Sequence, residues 1–267
     1  MLIDSHAHLL KEEFGEELEK ELKKINKSNV KIVNNIGYNL KSSEEAVQLT
    51  VQYEFLLAAV GVHPYDIKDF KLNNAIENVY TLARNKRVVA IGEIGLDYFR
   101  DISDFGEQRQ YFKDQILIAK ELGLPIIVHS RDAFEGTFNI IKETSYFNGV
   151  FHSFDYGIEE AKKVLDSGMF ISFSGMLTFK SKDKLREVAK IVPLDRVLFE
   201  TDSPYLAPVP KRGKRNTPLY VEYVYRTFAE IRGIKLEELE KIAEKNFVRL
   251  FNRSKNFING RHYVQDS

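Results

Sequence analysis

Short, continuously apolar runs recur along this chain at a nearly constant interval, with longer stretches of helical period between them. Runs such as FLLAAV (55–60), VVAI (88–91) and PIIV (125–128) lack polar alternation, so each is expected to be a strand covered on both faces. The predicted strands are residues 2–8, 30–37, 56–63, 88–93, 124–129, 149–153, 169–172 and 197–202. Their centres lie about 28 residues apart, close to the roughly 30 residues of one βαβ unit. Between them, residues 11–27 place Phe14, Leu18, Leu22 and Ile25 on one stripe, and 107–122 do the same with Phe112, Ile116 and Ala119. Residues 217–231 and 236–250 supply the last helices.

Eight such units in 267 residues, with no polar or Pro/Gly-rich linker, predict an α/β fold: one (β/α)8 TIM barrel, which takes about 250 residues. An open doubly wound sheet alternates in the same way. No glycine-rich dinucleotide fingerprint follows the first strand, however, so the closed barrel is preferred. The barrel is assigned to residues 1–253, and the polar segment 254–267 is read as a loosely packed tail.

Charge and composition exclude whole classes of chemistry. With 39 basic and 39 acidic residues, any nucleic-acid contact must come from a local patch. The absence of cysteine removes disulfides, thiolate zinc sites, Fe–S clusters and cysteine nucleophiles. Apolar runs fall short of a membrane span and the N-terminus does not read as a signal peptide, so a cytoplasmic, membrane-free protein is expected.

Of six histidines, His6, His8, His63, His129 and His152 fall at the C-terminal ends of predicted strands. Glu93 and Asp202 end two more. In a barrel those ends converge on one rim, where such folds carry their active sites. His6 and His8 are two apart, so strand alternation points both imidazoles to one side. A lone histidine after an apolar strand is more often a hydrogen-bonded core residue than a ligand. Convergence changes that balance, because several unpaired polar groups crowded together would each cost about 1–3 kcal/mol. Metal binding removes the cost.

The donors exceed what one catalytic zinc uses. A division that fits is His6, His8 and Asp202 around one ion, His129 and His152 around a second, and Glu93 as the bridge. Two divalent cations against two carboxylates leave excess positive charge, which suits an anionic substrate. Four imidazoles favour zinc, manganese, nickel or iron over magnesium. Asp202 is assigned general-base work.

Eight segments carry a resemblance: DSHAHL (4–9), GVHP (61–64), GEIGLDY (92–98), VHSR (128–131), FHSF (151–154), ETDSPY (200–205), PKRGKRNTP (210–218) and IAEKNFVRLF (242–251). In this order they resemble the TatD-like metal-dependent deoxyribonucleases, a branch of the amidohydrolase-type barrels. The resemblance implies a barrel hydrolase with a divalent-metal centre (Zn2+, Mn2+ or Mg2+) acting on DNA, in several members as a 3′→5′ exonuclease. It puts ligand positions on His6, His8, Glu93, His129, His152 and Asp202. His63 falls on the family's GVHP position, with a role beside the ligands or facing phosphate. Where related amidohydrolases bridge their metals with a modified lysine, this chain has Glu93.

Around these, Glu200 is read either as orienting a ligand imidazole or as a structural carboxylate. Arg131 is read as a phosphate contact or a helix cap. The cluster Lys211, Arg212, Lys214 and Arg215 is read as a DNA-backbone contact or a solvated loop. Tyr98, Phe99 and Tyr205 are read as base-stacking groups or packing under a rim loop. Two rivals remain open. One is a hydrolase of another ester or amide, such as an aminoacyl-tRNA deacylase, a phosphotriesterase or a cyclic amidohydrolase. The other is a nucleic-acid-binding barrel with structural metals.

Overall fold

The computed structural model describes residues 1–69, 71–100 and 104–258. Eight parallel strands follow one another around a single sheet in chain order. They are β1 (Leu2–Ala7), β2 (Val30–Ile36), β3 (Leu56–Val60), β4 (Val88–Asp97), β5 (Ile126–Arg131), β6 (Gly149–Phe151), β7 (Phe170–Phe173) and β8 (Val197–Phe199). Helices fill the connections, which gives the (β/α)8 barrel that the spacing predicts. No helix among the described residues is long and apolar enough to cross a membrane.

The seam between β1 and β8 is closed by side chains as well as by backbone. Ala7 bridges Ser203, and Asp4 accepts from the Thr201 amide at 2.9 Å and its hydroxyl at 2.5 Å. Burial pushes the Asp4 carboxyl up to about 8, against the lowering effect of its Thr201 bonds. The Tyr225 hydroxyl also donates to the Ile3 carbonyl at 3.0 Å.

The barrel interior is filled by Ile3, Ile32, Leu57, Val89, Ile127, Val150, Phe170 and Leu198, on which Phe247, Leu250, Phe251 and Ile258 pack. The other core lies between sheet and helices and buries the predicted stripes, including Phe14, Leu22, Ile25, Phe112, Ile116 and Ala119. Several boundaries shift. The stretch 11–27 is two helices, Lys11–Phe14 and Leu18–Asn26, joined by a 3-10 turn at Gly15–Glu17. Gly15 breaks the helix at φ +57. The helix expected from 107 starts at Phe105, capped by the Asp104 carboxylate on the amides of Gly106 and Glu107. At the other end, Ser254 and Ile258 are buried and Lys255–Ile258 is helical, so the barrel's packing runs past 253. The rest of the expected tail, 259–267, lies outside the described residues.

Candidate metal centre

The sheet delivers the predicted donors to one end of the barrel. Glu93 lies on β4, and its two carboxylate oxygens face different histidines. Oε2 lies 3.4 Å from His6 Nε2 and 3.6 Å from His8 Nε2. Oε1 lies 2.8 Å from His129 Nδ1 and 2.7 Å from His152 Nε2. Asp202 Oδ1 approaches the first pair, at 3.7 Å from His6 and 3.5 Å from His8. His6, His8 and Glu93 are buried, and His129 and Asp202 are partly open to the rim.

Hydrogen bonds on the far side of three of the rings decide which nitrogen faces the centre. His8 Nδ1 donates to the Ile36 carbonyl at 2.9 Å, which leaves the Nε2 lone pair facing inward. His152 Nδ1 donates to Glu200 Oε1 at 3.2 Å, while Ser172 donates to the other oxygen of that carboxylate. His129 Nε2 donates to Asp97 Oδ2 at 2.9 Å. His6 Nδ1 has no hydrogen-bond partner among the described residues, and its Nε2 faces His8 Nε2 at 3.2 Å.

This donor set fits metal ions. Two imidazole lone pairs 3.2 Å apart repel unless a proton or a cation lies between them. A tetrahedral ion with ligands at about 2.0–2.1 Å would hold its donors about 3.4 Å from one another. The distances from His6 Nε2 and His8 Nε2 to one another, to Glu93 Oε2 and to Asp202 Oδ1 run from 3.2 to 3.7 Å, so the two imidazoles already stand at ligand spacing from each carboxylate. At the second pair, the 2.7 and 2.8 Å contacts to Glu93 are hydrogen-bond lengths, so protons take the place a cation would occupy.

The titration behaviour agrees. Burial depresses His6 below its ordinary value, helped by the neighbouring His152 charge. For His152, burial is outweighed by the field of Glu93 and the Glu200 hydrogen bond, which hold it well above the ordinary value. His129 is raised because its bonds to Asp97 and Glu93 overcome burial. Burial opposes ionisation of Glu93, but the surrounding imidazoles hold its carboxyl well below the usual range.

Among the described residues, three triads bring donor atoms within 4.8 Å of one another: His6, His152 and Asp202; His6, His8 and Glu93; and His63, Glu93 and His129. Chemistry removes His63 from the last. Its Nδ1 accepts the Tyr65 amide at 3.1 Å, and burial lowers its pKa to about 3, so the neutral ring carries its proton on Nε2. Nε2 lies 3.5 Å from Glu93 Oε1. His63 therefore offers the centre a donor.

Other predicted residues lie at the rim with different partners. The exposed Arg131 guanidinium stacks 3.8 Å above the exposed Phe99 ring. The Tyr205 hydroxyl contacts both oxygens of Glu13 at 2.9 Å, and its ring lies 6.2 Å from His8. Tyr98 packs on Phe105 at 4.5 Å. In the basic loop, Lys211 lies over Tyr220 and Arg212 over Phe179. Lys214 is exposed, and Arg215 is ion-paired with Glu17 at 2.7 Å. No hydrogen bond or ion pair among the described residues links this loop to the histidine cluster.

Asp97, Tyr65, Ser172 and Asp4 were not singled out from the sequence. A period-two signal does exist for Asp97, because Glu93, Gly95 and Asp97 share a face if the strand continues through GEIGLD.

The sequence matches the model of the TatD-related DNase family over residues 3–252. It is 39% identical over 253 residues to YabD of Bacillus subtilis, an uncharacterized metal-dependent hydrolase, covering 94% of this chain and 99% of that protein. The Escherichia coli metal-dependent hydrolase YcfH is also 39% identical, over 256 residues, covering 94% of this chain and 96% of its own. Among solved structures, the TatD homologue YJJV of E. coli superposes with a TM-score of 0.88 at 28% identity, over 94% of this chain and 98% of that one.

Proposed function

The chain belongs to the family of TatD-related DNases and is a metal-dependent hydrolase; on that premise we propose that it hydrolyses phosphodiester bonds of DNA at a two-ion centre, from the 3′ end of a single strand. The observation that carries the reading is the division of Glu93, whose two oxygens face two separate nitrogen pairs. A carboxylate so placed suits a bridge between two cations. His6, His8 and Asp202 would hold one ion, His129 and His152 the other, with zinc or manganese favoured by the imidazole count and magnesium as the remaining candidate.

Bound there, divalent ions supply a water of lowered pKa and neutralise charge on a phosphoryl oxygen. The protein's own groups do the rest. Asp202, less buried than the first histidine pair, takes the proton of the attacking water on its carboxylate. His63 donates a hydrogen bond from its Nε2–H to a phosphate oxygen, since its Nδ1 is already occupied by the Tyr65 amide. Glu200 fixes the His152 ring through Nδ1. Arg131 and the Phe99 ring beneath it offer a charge and an apolar face to phosphate and base, and Tyr205 offers a second ring beside His8. The basic residues 211–215 would act at longer range, on the DNA backbone.

The test is cleavage of 3′- and 5′-labelled single-stranded oligonucleotides by the purified protein across a panel of cations, with metal analysis alongside. Stepwise shortening from the 3′ end is expected, and Asp202→Asn should fold normally yet lose about 10²–10⁴-fold in turnover. Absence of DNA cleavage with every cation, alongside hydrolysis of a small ester or amide, would overturn the nuclease reading. Near-wild-type turnover of Asp202→Asn at saturating metal would remove Asp202 from the reaction.

A further inference from the structure

We propose that Asp97 is a positioning residue that commits His129 to offering Nδ1 to the second ion and, through Tyr65, sets the ring of His63; the inference rests on the two-ion reading above. Asp97 is the last residue of β4 and is wholly buried. Its Oδ2 accepts from His129 Nε2 at 2.9 Å and from the Tyr65 hydroxyl. Its Oδ1 accepts from the backbone amides of Phe99 at 3.0 Å and Arg100 at 3.1 Å. The Asp97 peptide is itself clamped by the buried Gln108, whose Oε1 accepts the Asp97 amide at 2.9 Å and whose Nε2 donates to the Asp97 carbonyl at 3.2 Å. Neither the carboxylate nor its backbone is free to turn.

The consequence follows from the acceptor-only character of a carboxylate. Donors fill both of its oxygens, so His129 must present N–H at Nε2. The other nitrogen, Nδ1, then faces Glu93 at 2.8 Å and His152 Nε2 at 3.5 Å. With the opposite tautomer the lone pair would point at Asp97 and the second ion would lose a ligand. The imidazoles also differ in what stands behind them. His129 and His152 are each backed by a carboxylate, Asp97 and Glu200. His8 is backed by a neutral carbonyl, and His6 Nδ1 has no partner among the described residues. A carboxylate behind an imidazole makes it a more basic ligand and fixes its orientation. Asp97 therefore bears on the second ion and leaves the first alone.

The same carboxylate reaches the loop after β3 through Tyr65. The Tyr65 hydroxyl is bound to Asp97, its amide donates to His63 Nδ1, and its ring lies 4.6 Å from the His63 ring. One buried group thus registers two histidines, His129 on β5 and His63 in the loop after β3.

The experiment is calorimetric titration of the metal-free protein with Mn2+ and with Zn2+, comparing wild type with Asp97→Asn. Asparagine keeps the size but can turn an N–H toward His129, which reverses the tautomer. We expect two ions on wild type, with Asp97→Asn weakening one of them about 10–100-fold and leaving the other unchanged. Asp97→Glu, which restores the carboxylate, should recover part of the loss. If both sites keep wild-type affinity in Asp97→Asn, or both weaken together, the proposal is overturned. Should Asp97→Asn fail to fold, long-range 1H–15N spectra of histidine in zinc-loaded wild type decide the matter. A proton on His129 Nε2 supports the proposal, and one on Nδ1 overturns it. If wild type binds a single ion, it is the two-ion reading that fails, and the His129 tautomer still reports on Asp97.

Discussion

Replacing Gly95 by alanine should open the rim of the barrel between the two strands that carry Glu93 and His129. Gly95 stands between Glu93 and Asp97 on β4 and is in register with His129 on β5. Its φ is +153, and a Cβ built there would lie 1.9 Å from the His129 carbonyl oxygen. An ordinary C···O approach is about 3.3–3.6 Å, so the strands must part by about 1.5 Å or the peptide must rotate. Forcing a side chain onto such a backbone costs about 1–3 kcal/mol. Each ladder hydrogen bond weakened by the separation costs about 0.5–1.5 kcal/mol more. A total of about 2–5 kcal/mol is a large share of a stability of about 5–15 kcal/mol. At about 2–4 °C per kcal/mol for a chain of this size, melting by circular dichroism should fall by about 5–15 °C.

Gly123→Ala is the control for that loss. Gly123 has φ +64 at the end of the helix Phe105–Leu122, and its added Cβ meets nothing within 4 Å. Only the conformational cost remains there, about 1–2 kcal/mol. The two variants separate further in metal titration. Sites tolerate only about 0.5 Å of ligand displacement, so Gly95→Ala should weaken the second ion by about tenfold or more, with Gly123→Ala at wild-type affinity. Equal melting losses in the two variants, with metal binding intact in both, would refute the argument that this backbone contact sets the rim.

Metal uptake should release protons, because the raised His129 and His152 hold protons where the second ion would lie. Lowering the pH refills those sites, so apparent affinity should fall as the solution is acidified toward and below neutrality. Titration near pH 7 in buffers of differing ionisation enthalpy should report about one proton or more released with the second ion; identical heats in all buffers would contradict this. In the basic loop, neutralising the exposed Arg212 and Lys214 together should reduce the salt dependence of single-strand binding by about 1.4 in log–log slope if both contact phosphates. Arg215→Ala should change it less, since Glu17 already engages that charge. An unchanged slope in the double variant would take the loop off the DNA.

The split between what the sequence predicted and what it hid follows from where the information resides. The strands were legible because a strand buried on both faces must be apolar throughout, and the burial of β3 and β4 bears this out. The donor set was legible because a closed parallel barrel brings its strand ends together whatever lies between them. The boundaries were poorer at the rim. β3 stops at Val60, β6 at Phe151 and β8 at Phe199, each short of the histidine or carboxylate it was expected to carry. Those side chains sit on backbone that has already left the ladder: the His63 amide donates to the Tyr38 carbonyl, and Asp202 adopts φ +56 while its amide donates to the His6 carbonyl.

β4 errs in the other direction and runs on to Asp97, four residues past its expected end at Glu93. A glycine within a strand marks either a turn or a close backbone approach, and composition does not distinguish the two. What no single sequence carries is the placement of protons. That Asp97 fixes the nitrogen His129 turns inward depends on a contact between residues 32 positions apart, and Tyr65, which bonds His63, reaches Asp97 across the same interval. Which donors meet is thus a property of strand order, but which nitrogen each imidazole turns inward is a property of the hydrogen bonds behind it. Variants of those backing residues should change metal affinity without altering any residue that the family motifs mark as a ligand.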